Sequence, residues 1–100
     1  MTTTSTQLRD VPLPAGATDA SPWRELGTRW PWRTVTWPRR QVTGRENTRV
    51  SLECCQNADG SLDEFGVYVV GDDWLTGDQA RELAAALLEA AAELDGWATR

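Results

Sequence analysis

Four tryptophans and five arginines crowd one short stretch of the chain. Trp23, Trp30, Trp32 and Trp37 alternate with Arg24, Arg29, Arg33 and the pair Arg39–Arg40, punctuated by Pro22, Pro31 and Pro38. Guanidinium groups neutralise phosphates and indoles stack on bases, which is how single-stranded nucleic acid is held. The same two side chains are enriched at the hot spots of protein interfaces. A third reading is structural: the indoles lie across a small sheet, with arginines stacked on their faces. All three readings stay open at this level, ranked as core completion, then a protein interface, then nucleic acid.

Catalytic chemistry finds little support elsewhere. The chain has no His, which removes the usual general base and the commonest metal ligand. Cys54 and Cys55 are adjacent, so on a strand they point to opposite faces and a disulfide between them strains the backbone. They read as two reduced thiols with no imidazole to activate them. Residues 55–66 imitate a calcium loop, with Asn57, Asp59 and Gly60 at its third, fifth and sixth places. Cys55 stands at its first place and Gly66 at its twelfth, where carboxylates belong, and the flanks alternate as strands do. The acids Asp59, Asp63, Glu64, Asp72, Asp73 and Asp78 fit turns and a helix start better than an acid–base pair. No phosphate loop, zinc spacing or catalytic triad is present. The expectation is a protein that is not an enzyme, with no cofactor and no metal.

Charge is divided unevenly. Residues 1–50 carry eight arginines against four acids, whereas residues 51–100 carry two arginines against eleven acids, and lysine is absent. The basic half invites a nucleic-acid reading, and its ordinary alternative is that it folds over the acidic half. No apolar run approaches the length that crosses a bilayer, and the first residues have neither the basic nor the apolar region of a signal peptide. The expected location is the cytoplasm, with no membrane partner.

The elements that would position these residues follow from periodicity. Residues 1–22, rich in Thr, Ser and Pro, are expected as a flexible tail. Residues 23–100 form one small domain, beginning with the Arg/Trp-rich extended segment 23–47, where residues 33–37 are a short strand candidate. Val50, Leu52 and Cys54 alternate with Arg49, Ser51, Glu53 and Cys55, and residues 62–70 return as a second strand after Asn57-Ala-Asp-Gly-Ser61. A type I′ turn centred on Asp59-Gly60 sets Leu52 opposite Val67, Val50 opposite Val69 and Cys54 opposite Phe65, all on one face. The opposite face then pairs Ser51 with Tyr68, Arg49 with Val70 and Cys55 with Glu64.

Thr76 and Gln79 make a capping box for a helix over 76–95. Ala80, Leu83, Ala84, Leu87, Leu88, Ala91 and Leu94 form its apolar stripe, with Glu82, Ala85, Glu89 and Glu93 opposite and Gly96 as the left-handed stop. Trp97 then folds back onto the last turn. The predicted fold is α+β, a small antiparallel sheet of two or three strands packed on one C-terminal helix. Such a core is thin, so the Arg/Trp segment either completes it or meets a partner, or the chain self-associates through its open sheet edge or alanine face.

The stretch from Leu75 to Asp95, preceded by Asn-Ala-Asp-Gly and Val-Tyr-Val-Val, resembles short uncharacterised proteins of actinobacteria and their phages that end in a similar helix. The resemblance covers residues 48–97 and carries no functional residues. It implies a genomic setting in which small proteins bind a host or phage protein. The resulting expectation is an interaction module, phage-encoded or actinobacterial, with an unknown protein or itself as partner. Nucleic acid bound through the Arg/Trp segment is the alternative, and a structural homo-oligomer is another.

Overall fold

The computed structural model describes residue 8, residues 10–71 and residues 73–98. Among the described residues, five strands and one long helix follow in order: β1 (Asp19–Ala20), β2 (Trp32–Thr36), β3 (Arg40–Val42), β4 (Arg45–Asn57), β5 (Leu62–Val70) and α1 (Gly77–Ala98). The class is α+β, as predicted, but the sheet has five strands rather than two or three. The extra strands come from the Arg/Trp segment and the residues before it, whose prolines break helix without forbidding short extended pieces.

The 13-residue strand β4 organises everything else. Its C-terminal half pairs with β2 and its N-terminal half with β3, both antiparallel. β5 spans both regions of β4, from Arg49 to Gln56, so it must take the other side. β2 and β3 therefore lie end to end along one side of β4, separated at the bend Trp37-Pro38-Arg39, where Trp37 N still donates to Leu52 O (3.0 Å). β1 adds to the outer side of β2.

The hairpin register agrees with the sequence near its open end: Leu52 faces Val67, Val50 faces Val69, Ser51 faces Tyr68 and Arg49 faces Val70. Towards the turn it slips by one residue, so Cys55 opposes Asp63 instead of Glu64. The turn is the reason. A type I′ turn needs positive φ at two central residues, and here only Gly60 has it, at 90°. Gly60 N donates to Asn57 O and Asn57 N to Ser61 O, so three residues, not two, form the loop. Glu64, at φ 53°, absorbs the extra residue as a bulge, and the expected Cys54–Phe65 pairing is displaced.

The helix begins as predicted. Gln79 N donates to Thr76 Oγ1 (3.1 Å), and Thr76 N donates back to Gln79 Oε1 (2.9 Å). It does not stop at Gly96 but runs on to Ala98. Trp97 packs with Trp37 and Phe65, and burying that indole outweighs the roughly 1 kcal/mol that a helical glycine costs. The buried face is also turned relative to the predicted stripe. Ala86 and Ala90 are buried against Val50, with Leu83 and Leu87 beside them, while Ala80, Ala84, Leu88 and Ala91 are exposed. The cause is on β3 and the turn after it: Arg40 binds Glu89 and Glu93, and Thr43 binds Glu82, drawing the glutamate flank down to the sheet.

Residues 10–22, predicted to be a flexible tail, are part of the fold. Gln56 Nε2 donates to Pro12 O, Arg33 Nη2 to Val11 O and Trp37 Nε1 to Ala15 O, and Leu8 is buried. Proline-rich sequence without period hides such packing, because its carbonyls, not its side chains, make the bonds. Residues 1–7 and 9 of the predicted tail lie outside the described residues. The helix covers the Val50–Leu52 end of the sheet face, and residues 10–17 cover the end near Arg33 and Gln56. The opposite face, with Thr34, Thr36, Glu53, Cys55 and Tyr68, carries no second layer among the described residues.

Candidate functional site

The structure divides the nine Arg and Trp residues into two groups. Trp37, Arg39 and Arg40 sit at the bend between β2 and β3. Trp37 is 4% exposed and belongs to the core with Val35, Leu52 and Cys54. Arg40 is committed to Glu89 and Glu93, at 3.2 and 3.0 Å, which raises its already high pKa further. Arg39 is exposed. These three are framework and bend, and do not join the others.

Trp23, Arg24, Arg29, Trp30, Trp32 and Arg33 gather at the opposite end, on the loop between β1 and β2 and the first two residues of β2. Its base is closed by a backbone bridge in which Arg24 N donates to Trp32 O (2.7 Å) and Trp32 N returns to Arg24 O (3.3 Å). Its tip is braced by Glu25, which holds φ 55°, accepts Trp32 Nε1 on its carboxylate (2.7 Å) and Thr28 Oγ1 on its carbonyl (2.6 Å). Proline supplies the stiffness at the exit: Pro31 is buried and its carbonyl accepts Ala58 N (3.1 Å), fastening the loop to the β4–β5 turn.

Each arginine in this group lies beside an indole. The Arg33 guanidinium is 4.5 Å from the Trp23 ring centre, Arg24 is 5.2 Å from Trp32, and Arg29 is 5.9 Å from Trp30. Arg33 is the deepest; its Nε also donates to Gln56 Oε1 (2.8 Å), and burial lowers its pKa. Arg33, Trp23 and Trp32 thus build the loop. What the loop shows outward is Trp30, 73% exposed, with Leu26, Arg24 and Arg29. A cleft of about 470 Å³ runs beside Trp30, between the loop and the turn, and is lined on its far wall by Asn57, Asp59, Ser61 and Asp63.

Leu26 was not singled out by the sequence, although an isolated leucine in Arg-Glu-Leu-Gly-Thr is a signal that something other than a turn is required there. Trp74, 92% exposed beyond the far end of β4, was also missed. It lies in the short connection between β5 and the helix cap at Thr76.

The thiols and turn acids have local occupations. Burial pushes Cys54 up to about 12, and burial together with the Glu64 carboxylate pushes Cys55 up to about 11, so both stay protonated at neutral pH. Cys55 Sγ donates to Glu64 Oε2 (3.4 Å), Asn57 Nδ2 donates to Asp63 Oδ2 (3.2 Å), and Asp59 Oδ1 accepts Ser61 N (2.9 Å); the Ser61 side chain and then its backbone N–H lower the Asp59 pKa. Cys55, Asp63 and Glu64 bring their ligand atoms within 4.8 Å of one another. Asp73 accepts Thr48 Oγ1 and Asp78 pairs with Arg81, both at the other end of the sheet, so the five described acids do not assemble into one cluster. Asp72 lies outside the described residues.

No helix among the described residues is long and apolar enough to cross a membrane. No family model matches the chain, and no curated protein or solved structure is significantly similar to it. The geometry of the loop carries the functional argument.

Proposed function

We propose that this is a non-enzymatic protein-interaction module whose binding surface is the braced loop between β1 and β2. The observation that carries the reading is that Trp30 stands 73% exposed on a loop whose backbone and neighbouring indoles are pinned. An exposed indole on a mobile loop loses entropy when it binds; one held in advance does not. Trp30 and Leu26 serve as apolar anchors, with Arg24 and Arg29 at the rim, which is the composition of an interface hot spot. The acidic wall at Asp59 and Asp63 adds a place for a basic side chain of the partner.

Nucleic acid is the weaker alternative for a stated reason. Of the five arginines in the segment, Arg33 and Arg40 spend their donors within the fold, leaving Arg24, Arg29 and Arg39. Three surface cations on an acidic protein make few phosphate contacts. A reducing cytoplasm suits the two free thiols. A phage or actinobacterial setting, read from the resemblance of residues 48–97, supplies a source of host or phage partners.

Affinity capture with the full chain, compared with Trp30→Ala and Leu26→Ser, tests the reading. The expected result is a partner protein lost with either substitution and retained through nuclease treatment and ~0.5 M salt, where phosphate-driven binding collapses. Capture that is unchanged by both substitutions, or abolished by nuclease, overturns it.

A further inference from the structure

We infer that the chain forms a two-fold homodimer by pairing β5 with β5 of a second copy, closed over by the exposed flank of α1. This surface is separate from the Trp30 loop and goes beyond the function proposed above.

β5 pairs with β4 alone among the described residues, so its outer edge offers unpaired N–H and C=O groups along nine residues. Such edges are ordinarily blunted by proline, by lysine or by shortness. None of these protects residues 65–70, which read Phe-Gly-Val-Tyr-Val-Val, and the bulge at Glu64 distorts only the end near the turn. Val69 lies on the helix-facing side of β5 yet is 51% exposed, because the helix does not cover it.

The helix points to the same side. Glu82, Glu89 and Glu93 occupy its flank over β3, held by Thr43 and Arg40. Helical periodicity puts Ala80, Ala84, Leu87, Leu88 and Ala91 on the opposite flank, which is the β5 side because β3 and β5 lie on opposite sides of β4. That flank is apolar from Ala84 to Ala91, with Leu88 72% exposed on it, and the exposed Arg81 and Asp95 lie one turn beyond at either end. Open edge and apolar flank therefore form one continuous surface. An added peptide strand satisfies only the edge; a second copy, related by a two-fold axis, satisfies both.

The register that keeps both helices on one face must set residues opposite each other whose numbers sum to an even value, since odd sums swap faces. Centring on Val67 places Phe65 opposite Val69 of the other copy, and Tyr68 opposite Gly66. Asp63 and Glu64 then oppose Gly71 and Val70, so no like charges meet. The space above Gly66, where an added Cβ touches nothing within 4 Å, takes the exposed Tyr68 ring of the other copy, a cross-strand aromatic–glycine pair. An edge ~30 Å long backed by a helix layer ~15–20 Å deep gives about 500 Å² per copy, or about 1,000 Å² in all, the lower bound of a specific interface.

Sedimentation equilibrium of the full chain, with Val69→Lys and Leu88→Arg, decides the matter. The expected mass is twice 11.1 kDa for the natural chain, with dissociation at least about tenfold easier in each variant and an unchanged far-ultraviolet circular dichroism spectrum. Leu88→Arg and a third variant, Ala84→Glu, change exposed helix positions and remain informative if a lysine on β5 prevents folding. A single 11.1 kDa species up to about 1 mM, or a dimer indifferent to the helix-flank variants, overturns the inference.

Discussion

The rings of Trp37 and Trp97 meet edge to face with centroids 5.2 Å apart, joining the bend after β2 to the last turn of the helix. Phe65 completes the cluster, 5.4 Å from Trp97 and 6.0 Å from Trp37. Trp37 also donates its Nε1 to Ala15 O, so one side chain fastens the N-terminal segment, the sheet and the helix. Replacing it with Ala is expected to cost about 3–5 kcal/mol. Trp30→Ala, on the exposed loop, is expected to change stability by less than ~0.5 kcal/mol. Urea unfolding of the two variants measures both; equal losses would show that the indoles are not divided between core and surface.

The orientation of the helix has a simple test in two alanines. Ala90 is fully buried against Val50, so Ala90→Leu forces overpacking and is expected to destabilise by ~1–3 kcal/mol. Ala84 faces outward, and Ala84→Leu is expected to leave monomer stability within ~0.5 kcal/mol of the natural chain. The predicted apolar stripe, which placed Ala84 inward, requires the reverse order. Thermal unfolding at low protein concentration distinguishes them.

Glu53 supplies a pH dependence. Burial raises its pKa, against bonds from Thr36 and Ser51 that favour the charged form. The folded protein thus holds the proton to higher pH than the unfolded chain does. The stability this contributes is complete below the ordinary glutamate value, about 4.3, and is lost as pH rises through the raised folded value. Glu53→Gln keeps the neutral form at every pH. Its melting temperature is expected to exceed that of the natural chain at pH 7 and to match it near pH 3.5. No difference at pH 7 would mean that the ionised carboxylate is well solvated.

The hairpin and the capped helix were legible because each rests on local rules: alternation from Val50 to Cys54, the Thr76–Gln79 reciprocal bonds, the mid-hairpin register. What local rules could not reach was decided across the fold. The helix face was set by Arg40 and Thr43, about 40 or more residues upstream of their glutamates, and a stripe of alanine and leucine wide enough to be read two ways offered no correction. The helix end was set by a ring contact between Trp97 and Trp37. Among the candidate site residues, sequence spacing made one group of Trp23 through Arg40, and nothing in their types distinguished Trp30, which faces solvent, from Trp37, which is core. That distinction depends on which side of Pro31 and Pro38 the chain turns, and on Glu25 and Ala58 fixing it there.

The end-to-end placement of β2 and β3 along β4 also dictates an order of events during synthesis. A ribosome makes β1, the tryptophan loop, β2 and β3 before it makes the strand on which β2 and β3 align. Until residue 57 has cleared the exit tunnel, β2 has only the two residues of β1 beside it, too little to stand in water. The nascent chain therefore carries four indoles with no sheet to sort them, exposed to chaperones and to other nascent chains. Only the arrival of β4, a strand without a tryptophan of its own, sends Trp37 inward and leaves Trp30 outside.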